Sequence, residues 1–574
     1  MLGLDMKKNR RLLLLLSPSV LLLGLLGSPA LAQKQHGDGV HTSSHARRAA
    51  DAPNISLKGP PNLPPDASHN LDPSLASFSI ETAFFEAYVG NMSSPNLLTR
   101  HLLDNLKERT GVPAEVRIGG ITADSTYWNA SQDIGLFNFI DDKGALHNTT
   151  VGPGFWKSMK LLPEGTKVTL NLNLEDLDYR LAFEVAKSAV EGMSSEQLVG
   201  LEIGNEPDHY HGFTPRNYSE IWGTWAKNLT STLGLKRPFF QVAATVEDPL
   251  WPYNAAGAAS QLGCVSALAA GANRDGVVAS CSEHSYQYSV CDPVRTAVAT
   301  LPNLVNHTRL AMFLDLWQPR VRSIRQQLGS HSFVNGEYNS VSCSGKDGVS
   351  NTFGQALWLL DTTLYAASIN ISRMYIHQGG PLALQSRTQL NHGGLSFYNL
   401  WYPVQNLNGP VKVFPSYYAY LFITEAIGKS KSVQIANLYP GRQSNGSSIT
   451  TALGDVSAGQ LVAYGLWDNG GPLKDEFPSK LALLNLQIFN KTQDIVRPRA
   501  SIDISAFIKT PGQQIRIRRL QAPGADVKEG SETTWVGQSY ASGLASGDIR
   551  EEISTNPLVT VQASEAALVS LIQP

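Results

Sequence analysis

Charged residues are scarce in this chain of 574 residues: they make up 16% of it, and the net charge is -2. A chain so weakly charged has no general attraction for nucleic acid or anionic membranes, so we expect neither as a partner. The Cys and His spacings of metal sites are also lacking, and we expect no metal and no cofactor. Hydrophobic residues nevertheless reach 42%, which is enough for a large core and for two or three domains.

Long apolar runs are lacking except at the N-terminus, where residues 12–26 form one. Basic residues precede this run, and Ala30-Leu31-Ala32 follows it as a cleavage site for a signal peptidase. Pro18 interrupts the run, which is also short for a membrane span, and this favours a signal peptide over a membrane anchor. We therefore expect residues 1–32 to be removed and the protein to be secreted, extracellular and free of the membrane.

Cysteine is also rare, with 4 residues that we expect to be oxidised outside the cell. Four cysteines allow three pairings. Cys291 and Cys343 both follow predicted active-face strands, so we favour the bridge Cys291–Cys343, which leaves Cys264–Cys281 as the remainder. Secretion also makes the Asn-X-Ser/Thr sequons candidates for N-glycosylation. They lie at Asn54, Asn91, Asn129, Asn148, Asn217, Asn228, Asn306, Asn370, Asn445 and Asn490.

Short apolar runs alternate with helical patterns over residues 76–428. Eight runs are predicted strands, and segments with helical apolar spacing separate them. Eight such units over roughly 350 residues indicate an α/β fold, a (β/α)8 TIM barrel with insertions. The predicted strands are residues 77–85, 114–120, 167–172, 198–204, 239–245, 277–284, 331–335 and 371–377.

The pattern changes after residue 428 to short alternating runs that turn-rich stretches separate. Such runs are typical of antiparallel sheets, so residues 429–574 are predicted to form a β-sandwich domain. In one run Arg516, Arg518 and Arg519 alternate with Ile515 and Ile517. A basic binding strip is one interpretation of these arginines, and the solvated face of a strand is the favoured one.

The N-terminal part of the processed chain has no place in the barrel pattern. Residues 33–50 are polar and are predicted to be a disordered leader; their final Arg47-Arg48 fits a processing site and a charged linker equally well. Residues 51–75 include a Pro-rich stretch that we expect to be extended. Because an extended segment before the first barrel strand has no role in the barrel, we expect it to pack on the C-terminal β-domain.

Two predicted barrel strands end in a glutamate. The fourth ends in Asn205-Glu206-Pro207, where the proline stops the strand, and the seventh ends in Glu337. The C-terminal ends of barrel strands form the active face, and glycoside hydrolysis needs a pair of carboxylates. A lone Asn-Glu-Pro is also compatible with a solvated surface turn, but the second carboxylate favours a site. We assign Glu206 as acid/base, with a raised pKa, and Glu337 as the nucleophile, which must stay ionised.

Several polar side chains are expected around this pair. The amide of Asn205 is able to hold a substrate hydroxyl, and the nucleophile needs donors nearby. Arg117, at the end of the second strand, and Tyr286, after the sixth, are the candidates. His284 is either a further site residue or a structural one.

These residues resemble glycoside hydrolase family 79, which contains β-glucuronidases and heparanase-like enzymes. The resemblance covers most of the processed chain and implies a (β/α)8 barrel with the acid/base on strand four and the nucleophile on strand seven. It also implies a β-sandwich to which the N-terminal segment contributes. The motifs that carry it are Gly204-Asn205-Glu206-Pro207-Asp208, Arg117-Ile118-Gly119-Gly120, Phe78-Ser79-Ile80-Glu81 and Gly336-Glu337-Tyr338-Asn339.

The resemblance further implies how the sugar is bound. Glu81 would bind the glycone, while tyrosine hydroxyls and loop amides would bind the sugar carboxylate, with Tyr338, Tyr375, Gly379 and Gly380 as the local candidates. The expected function is that of a retaining O-glycoside hydrolase that releases β-linked D-glucuronic acid, 4-O-methylated or not, from glycans or glycoconjugates by double displacement.

Three alternatives remain at this stage. An endo-acting heparanase-like enzyme would need a cleft lined with Lys and Arg for sulfated chains, and the sequence has no such cluster near the strand ends. A retaining hydrolase of a neutral β-glycoside is the second alternative. The third is an inactive, secreted carbohydrate-binding glycoprotein, against which the two intact glutamates argue.

Overall fold

The computed structural model describes residues 54–142, 146–236, 238–250, 260–379, 396–405, 410–441 and 460–572. The predicted signal peptide, the predicted leader, Gly380 and Asn445 lie outside these residues. Within them, no helix combines the length and apolar character that crossing a bilayer requires.

Eight parallel strands close into a barrel in which each strand pairs with its neighbours in the sequence. The barrel closes where the last strand pairs with the first, with Met374 opposite Ala76 and Gln378 opposite Ile80. This confirms the predicted (β/α)8 fold. The strands are β1 (Ala76–Glu81), β2 (Val116–Gly119), β3 (Val168–Leu172), β4 (Leu198–Ile203), β5 (Phe240–Thr245), β6 (Val278–Ser285), β7 (Phe333–Tyr338) and β8 (Met374–Gln378).

The alternation of residues along each strand separates the two sides of the barrel wall. In β1, Phe78 packs against Trp401 and Tyr420 on the outer side, whereas the Ser79 hydroxyl accepts a hydrogen bond from Arg117 in the interior. Barrel interiors are usually filled by branched apolar side chains. Here a buried polar set occupies much of the interior, namely Ser79, Arg117, Asn171, Glu202, Gln241, Ser282 and His377.

Helices cover the outside of the barrel. Residues 307–328 form two helices and not one, because Pro319 lacks the N–H that a continuous helix would need there. The helices are α1 (Phe85–Val89), α2 (Leu97–Thr110), α3 (Pro153–Ser158), α4 (Tyr179–Gly192), α5 (Pro215–Leu233), α6 (Cys264–Ala269), α7 (Pro293–Val298), α8 (Leu301–Leu304), α9 (His307–Asp315), α10 (Gln318–Leu328), α11 (Phe353–Ser368) and α12 (Tyr417–Ile427). Short 3-10 helices cover Thr82–Phe84, Ile121–Ser125, Met159–Leu161, Pro207–His209, Ser505–Phe507 and Gly530–Glu532.

The C-terminal region contains a seven-stranded antiparallel sheet in the same compact unit as the barrel. One face of the sheet packs on helices of the barrel, where the Tyr464 hydroxyl donates a hydrogen bond to Asp361 of α11. The other face packs on a three-stranded sheet and completes the β-sandwich. The strands of this region are β9 (Val433–Tyr439), β10 (Leu461–Asp468), β11 (Lys480–Asn485), β12 (Arg499–Asp503), β13 (Ile515–Gln521), β14 (Thr534–Trp535), β15 (Glu552–Ser554), β16 (Leu558–Gln562) and β17 (Glu565–Leu571).

The N-terminal segment supplies one strand of the three-stranded sheet. Ile55 lies opposite Ile502 of β12 in a parallel pair, and the Leu57 N–H donates to the Asp503 carbonyl at 3.0 Å. Leu57 is 3% exposed and belongs to the core between the two sheets. The two ends of the described chain thus share one hydrophobic core. We retain residues 51–75, 76–428 and 429–574 as the proposed division of the chain.

The arginines of β13 are paired with carboxylates. Arg518 bonds Glu425 of α12 as well as Glu551, and Arg519 bonds Glu552 and Glu565. Ile515 and Ile517 on the alternate positions are buried. These partners leave Arg518 and Arg519 with structural roles between the strands and the last barrel helix.

The cysteines form one bridge, Cys291–Cys343, with Cα atoms 6.0 Å apart. It connects the segment after β6 to the segment after β7, where Tyr288–Ser289 and Val341–Ser342 also pair as short strands. The expected bridge Cys264–Cys281 is not formed, and both are buried thiols. Burial raises the pKa of the Cys264 thiol and so keeps it protonated.

The loop after β2 carries an insertion of three short strands, which we call the insertion sheet (Thr126–Trp128, Leu136–Ile140 and Leu146–Val151). Its inner face contacts the short 3-10 helix that follows β1, because Asn138 Nδ2 donates to the Ala83 carbonyl at 2.9 Å. Two further strand pairs are Gly90–Asn91 with Ser94–Pro95 and Trp401–Tyr402 with Lys412–Val413.

The sequon asparagines differ in accessibility. Asn306 is 4% exposed, and its side-chain oxygen accepts the Arg309 N–H at the start of α9, so it is a poor acceptor for a glycan. The other described sequon asparagines are at least partly exposed: Asn54, Asn91, Asn129, Asn148, Asn217, Asn228, Asn370 and Asn490.

We predict that Leu57→Ala destabilises the β-sandwich by about 2–4 kcal/mol, because it leaves a cavity between the two sheets. Chemical denaturation of the full chain measures this loss. Lys58→Ala, at the exposed neighbouring position, serves as the control and is expected to change stability by less than about 0.5 kcal/mol. Equal losses in the two variants would contradict the role of Leu57 in the core.

Candidate active site

Glu206 lies directly after β4, at the C-terminal end of the barrel, in a left-handed backbone conformation with φ 52°. Residues other than glycine adopt this conformation at a cost, and such strain concentrates at functional sites. The Glu206 N–H donates to the Ala244 carbonyl of β5 at 2.8 Å, which fastens the turn to the neighbouring strand. The carboxylate is held at the mouth of the barrel, and its side chain is 20% exposed.

The buried carboxyl group of Asp124 accepts hydrogen bonds from residues of this turn. Asp124 accepts hydrogen bonds from the Tyr210 hydroxyl, from the Asn205 N–H at 3.3 Å and from the Leu174 N–H at 3.1 Å. Burial raises the pKa of Asp124 to about 7, although the hydrogen bond from Tyr210 opposes the rise. The strand end that carries Glu206 is therefore anchored to the segments after β2 and β3.

Glu337, near the C-terminal end of β7, accepts hydrogen bonds on both carboxylate oxygens. Arg117 Nη1 donates to Oε2 at 2.9 Å, and the Tyr286 hydroxyl donates to Oε1 at 2.8 Å. His377 Nδ1 lies 3.5 Å from Oε2. Burial alone would raise the pKa of Glu337, but the charges of His377, His284 and Arg117 and the Tyr286 hydroxyl together lower it to about 2. Glu337 is thus ionised at any physiological pH.

Arg117 connects the interior polar set to the site. Its Nε donates to Glu202 Oε1 at 2.8 Å, and its Nη2 donates to Asn205 Oδ1 at 2.8 Å. Glu202 in turn accepts from Asn171 Nδ2 at 2.7 Å and from Gln241 Nε2 at 2.6 Å. Side chains of strands β2, β3, β4 and β5 therefore meet in one buried network beneath the glutamates.

The two glutamates face each other across a short gap. Glu206, Glu337 and His284 each contribute one atom to a group in which all atoms lie within 4.8 Å of one another. Retaining glycosidases hold their two carboxyl groups about 5–5.5 Å apart, and inverting ones hold them much farther apart. Among the described residues, these three side chains also have the spacing that a shared metal ion would need.

His284 belongs to the site. It is fully buried on β6, and its Nδ1 lies 3.0 Å from Glu206 Oε1. Within the described part of the chain its Nε2 has no hydrogen-bond partner. Together with Tyr286 two residues later, His284 lines the β6 side of the space between the glutamates.

Glu81 is held at the end of β1 on the opposite side of Glu337. Its Oε2 accepts hydrogen bonds from the hydroxyl and the N–H of Thr122, and its Oε1 lies 3.5 Å from His377 Nε2. Gly120 has φ +85°, and a Cβ there would lie 2.5 Å from the Glu81 carboxyl group. The glycine directly after β2, Gly120, is therefore required by the close approach of Glu81.

The structure corrects the expected role of Tyr338. Side chains alternate along β7, so the residue after Glu337 points away from the barrel interior. The Tyr338 hydroxyl lies 3.1 Å from the Thr363 hydroxyl and 3.3 Å from the Tyr420 hydroxyl, on helices α11 and α12. Tyr338 therefore packs the barrel wall against its helices and cannot contact a substrate.

The structure also corrects the expected role of Tyr375. Its hydroxyl donates to Glu115 Oε2 at 2.8 Å, and Glu115 precedes β2 at the N-terminal end of the barrel. Arg373 joins the same group through Glu115 and Asp72. Tyr375 shares the interior side of β8 with His377 but lies two residues, about 6–7 Å, deeper. It closes the end of the barrel opposite the site.

Gly379 does not offer a free amide. Its N–H donates to Asn399 Oδ1 at 3.0 Å, and its carbonyl accepts the Tyr88 hydroxyl at 3.0 Å. The expected contact of this amide with a substrate carboxylate is therefore wrong for the described structure. A Cβ at Gly379 would lie 3.0 Å from the Tyr398 hydroxyl, so the glycine makes room for that tyrosine.

Two site residues, His377 and Tyr398, were not predicted from the sequence. His377 lies between Glu81 and Glu337, whose charges raise its pKa against the effect of burial. The Tyr398 ring centroid lies 6.0 Å from that of His377, and burial together with the charges of Glu337 and Glu81 raises the pKa of its hydroxyl. Alternation along β8 identifies His377 as an inward residue nearest the C-terminal end. Tyr398 follows a loop, and no pattern marks it.

Comparison with known proteins agrees with this geometry. Residues 463–568 match the model of the glycosyl hydrolase family 79 C-terminal beta domain. The chain is 27% identical to a beta-glucuronidase of Aspergillus niger over 537 residues, which are 88% of this chain and 90% of that protein. It is 26% identical to a beta-glucuronidase of Neurospora crassa over 510 residues, 81% of this chain and 84% of that one.

Among solved structures, a 4-O-α-L-rhamnosyl-β-D-glucuronidase from Fusarium oxysporum superimposes with a TM-score of 0.70 at 22% identity. The alignment covers 90% of this chain and 100% of that one, so the two share barrel and β-domain.

A (β/α)8 barrel with an attached β-sandwich and two glutamates facing each other at the C-terminal ends of its strands defines a glycoside hydrolase. The family model that matches the β-domain and the relative that matches most of the chain, including the barrel, are also glycoside hydrolases. The match of the β-domain and the similarity to two beta-glucuronidases support the predicted resemblance of this chain to glycoside hydrolase family 79.

We predict that ionised Glu337 makes stability depend on pH. Its folded pKa of about 2 lies below its unfolded value of about 4.3, so its contribution is present above pH 4.3 and is lost as the pH falls toward 2. The gap in unfolding free energy between wild type and Glu337→Gln should therefore narrow by about 3 kcal/mol between pH 4.5 and 2. Denaturation across this pH range measures it.

The matched control is Glu196→Gln, at an exposed position remote from the site. Its gap to wild type should stay constant over the same pH range. A constant gap for Glu337→Gln as well would mean that Glu337 is not held ionised.

Proposed function

We propose that this protein is a secreted, retaining β-glucuronidase that releases β-linked D-glucuronic acid, 4-O-methylated or not, from glycans or glycoconjugates. The observation that carries the proposal is the pair Glu206 and Glu337, with oxygens within 4.8 Å of each other at the mouth of the barrel. Similarity to two fungal proteins named beta-glucuronidase, over most of their length, supports the substrate class.

In the first step Glu337 attacks the anomeric carbon while Glu206 donates its proton to the leaving oxygen. Glu337 suits this role because Arg117, Tyr286 and His377 keep it ionised. Glu206 suits the acid role because it lies at the mouth of the barrel, on the side open to a leaving group. The products of this step are a free aglycone and a glucuronyl ester of Glu337.

In the second step Glu206, now a carboxylate, takes a proton from a water molecule that attacks the same anomeric carbon. The bond to Glu337 breaks, and glucuronic acid leaves with its original β-configuration. The Glu206 proton is restored, so both glutamates return to their starting states. His284 Nδ1, at 3.0 Å, holds the Glu206 carboxyl group in place for both proton transfers.

We propose that Glu81 and His377 bind hydroxyls of the glycone and that the Tyr398 hydroxyl binds its carboxylate. The Tyr398 side chain is 4% exposed and lies beside His377, so its hydroxyl is held close to the glutamate pair. Its raised pKa keeps it protonated and therefore a donor. A hydrogen bond from a neutral donor to an ionised acceptor is roughly twice as strong as a neutral one.

The alternatives have less support. Exposed carboxylates follow β3 and β5, namely Glu175, Asp176 and Glu247, on the two sides of Glu206. They would repel the sulfated chains that an endo-acting heparanase-like enzyme cleaves. An inactive carbohydrate-binding protein has no need for a nucleophile held ionised. Secretion is supported by the N-terminal sequence and by the Cys291–Cys343 bridge, which is typical of oxidising compartments.

We predict that Glu206→Gln slows hydrolysis of glucuronides with poor leaving groups by about 10²–10⁴-fold, because these need protonation. Activated aryl glucuronides need little protonation, so their first step should be slowed far less. Glu337→Gln should abolish both activities. Steady-state rates on an alkyl and a dinitrophenyl glucuronide measure this, and equal losses on both substrates in Glu206→Gln would refute the acid/base assignment.

We also predict that 4-nitrophenyl β-D-glucuronide is hydrolysed far faster than the matching glucoside, with the β-anomer formed first in NMR. Tyr398→Phe should lower kcat/KM for the glucuronide by about 10- to 100-fold, the cost of one hydrogen bond to a charged group, and leave the glucoside rate nearly unchanged. Tyr375→Phe, at the opposite end of the barrel, is the control and should keep the ratio of the two rates.

Wild-type rates that are equal on the two substrates would reject the glucuronidase proposal. An α-anomer formed first would reject double displacement. A Tyr398→Phe variant that loses both rates equally would show that Tyr398 does not bind the carboxylate.

A further inference from the structure

The insertion sheet exposes two aromatic side chains that its own core does not use. Phe137 and Phe139 are each 50% exposed, on the strand Leu136–Ile140. The alternate residues of this strand face inward, where Leu136 packs on the core and Asn138 bonds the Ala83 carbonyl. Two phenylalanines on one outer face of a small sheet form an exposed apolar surface. Such surfaces favour contact with another group that shields them from water.

A sequon asparagine lies on this same outer face. In the antiparallel pairing, Phe139 lies directly opposite Asn148 and Phe137 directly opposite Thr150. Directly opposed residues of an antiparallel pair point to the same side of the sheet, with Cβ atoms about 4.5–5.5 Å apart. The inner-face pair confirms this alternation, since the Thr149 hydroxyl donates to Asn138 Oδ1 at 2.8 Å.

We propose that Asn148 is N-glycosylated and that the first sugars of its glycan lie on the Phe137–Phe139 surface. This rests on the secretion that forms part of the proposed function. The Asn148 side chain is partly exposed, as the modification requires, and the sequon Asn148-Thr149-Thr150 stands opposite both phenylalanines. A glycan on Asn148 starts within one sugar ring of Phe139, so the apolar faces of its first residues cover the rings while its hydroxyls stay in water.

The chain offers a matched comparison for this arrangement. Asn228 is also an exposed sequon asparagine, but it lies on helix α5 and not on the insertion sheet that carries Phe137 and Phe139. Both asparagines are therefore available for modification, and of the two it is Asn148 that lies opposite the phenylalanines.

The test uses the full chain secreted from a fungal host. Mass spectrometry of its glycopeptides reports occupancy at Asn148 and Asn228, and thermal unfolding is measured for wild type, Asn148→Gln, Asn228→Gln, Phe137→Ser/Phe139→Ser and the combined variant. We expect both asparagines to be modified and Asn148→Gln to lower Tm by about 1–3 °C and to increase binding of a hydrophobic dye. In the Phe137→Ser/Phe139→Ser background, Asn148→Gln should have no further effect on either measurement. Asn228→Gln should leave dye binding unchanged.

The outcomes separate the proposals. Modification of Asn228 but not of Asn148 would overturn this inference and leave secretion intact. If no sequon of the secreted chain is modified, this inference fails, while secretion and glucuronidase activity are unaffected. If Asn148→Gln has the same effect with and without the phenylalanines, the glycan is present but does not lie on this surface, and the inference is overturned.

Discussion

The buried guanidinium of Arg117 is the interaction on which the site depends. It is fully buried within the barrel and bonds Ser79 of β1, Glu202 of β4, Asn205 just after β4 and Glu337 of β7, so it links three strands. A buried cation without partners would be very costly, and removing one partner of a buried ion pair typically costs about 3–5 kcal/mol. The barrel interior is polar for this reason: Asn171 and Gln241 satisfy the remaining lone pairs of Glu202. Glu337, the proposed nucleophile, is therefore positioned by the core of the protein and not by a mobile loop.

The charge balance of the site follows from the same arrangement. Glu337 carries its negative charge among Arg117, His377 and the Tyr286 hydroxyl, whereas Glu206 lies at the open mouth with His284 as its close partner. The two carboxyl groups thus have different surroundings, which is the condition under which one of a close pair can act as acid and the other as nucleophile. His377 lies between Glu337 and Glu81. Its imidazole is therefore close to both the proposed nucleophile and the proposed glycone-binding carboxylate.

The sequence predicted the barrel because hydrophobic periodicity marks each strand and helix. It placed Glu206 at a strand end because Gly204 and Pro207 mark where β4 stops, and it placed Glu337 there because a short apolar run ends at that residue. The sequence-based assignment was wrong for side chains whose role depends on their depth in the barrel and on the direction in which they point. Tyr338 follows Glu337 directly, so alternation along β7 points it outward, and Tyr375 faces inward but at the wrong end. Applied strictly, alternation would have excluded Tyr338 and selected His377. Tyr398 could not be found in this way, because it follows a loop whose course no periodicity fixes.

The parallel pairing of Ile55–Ser56 with β12 has a consequence for how the protein is made. The strand at the N-terminal end leaves the ribosome first, yet its partner follows 447 residues later. At roughly 5–20 residues per second, about 20–90 s of synthesis separates the two. Once synthesis has passed Gln378 the barrel has all of its strands available, while the sandwich still lacks strands that will cover Leu57. The order of emergence therefore makes the β-sandwich the last part to be completed, and the early segment stays unpaired until β12 has been made.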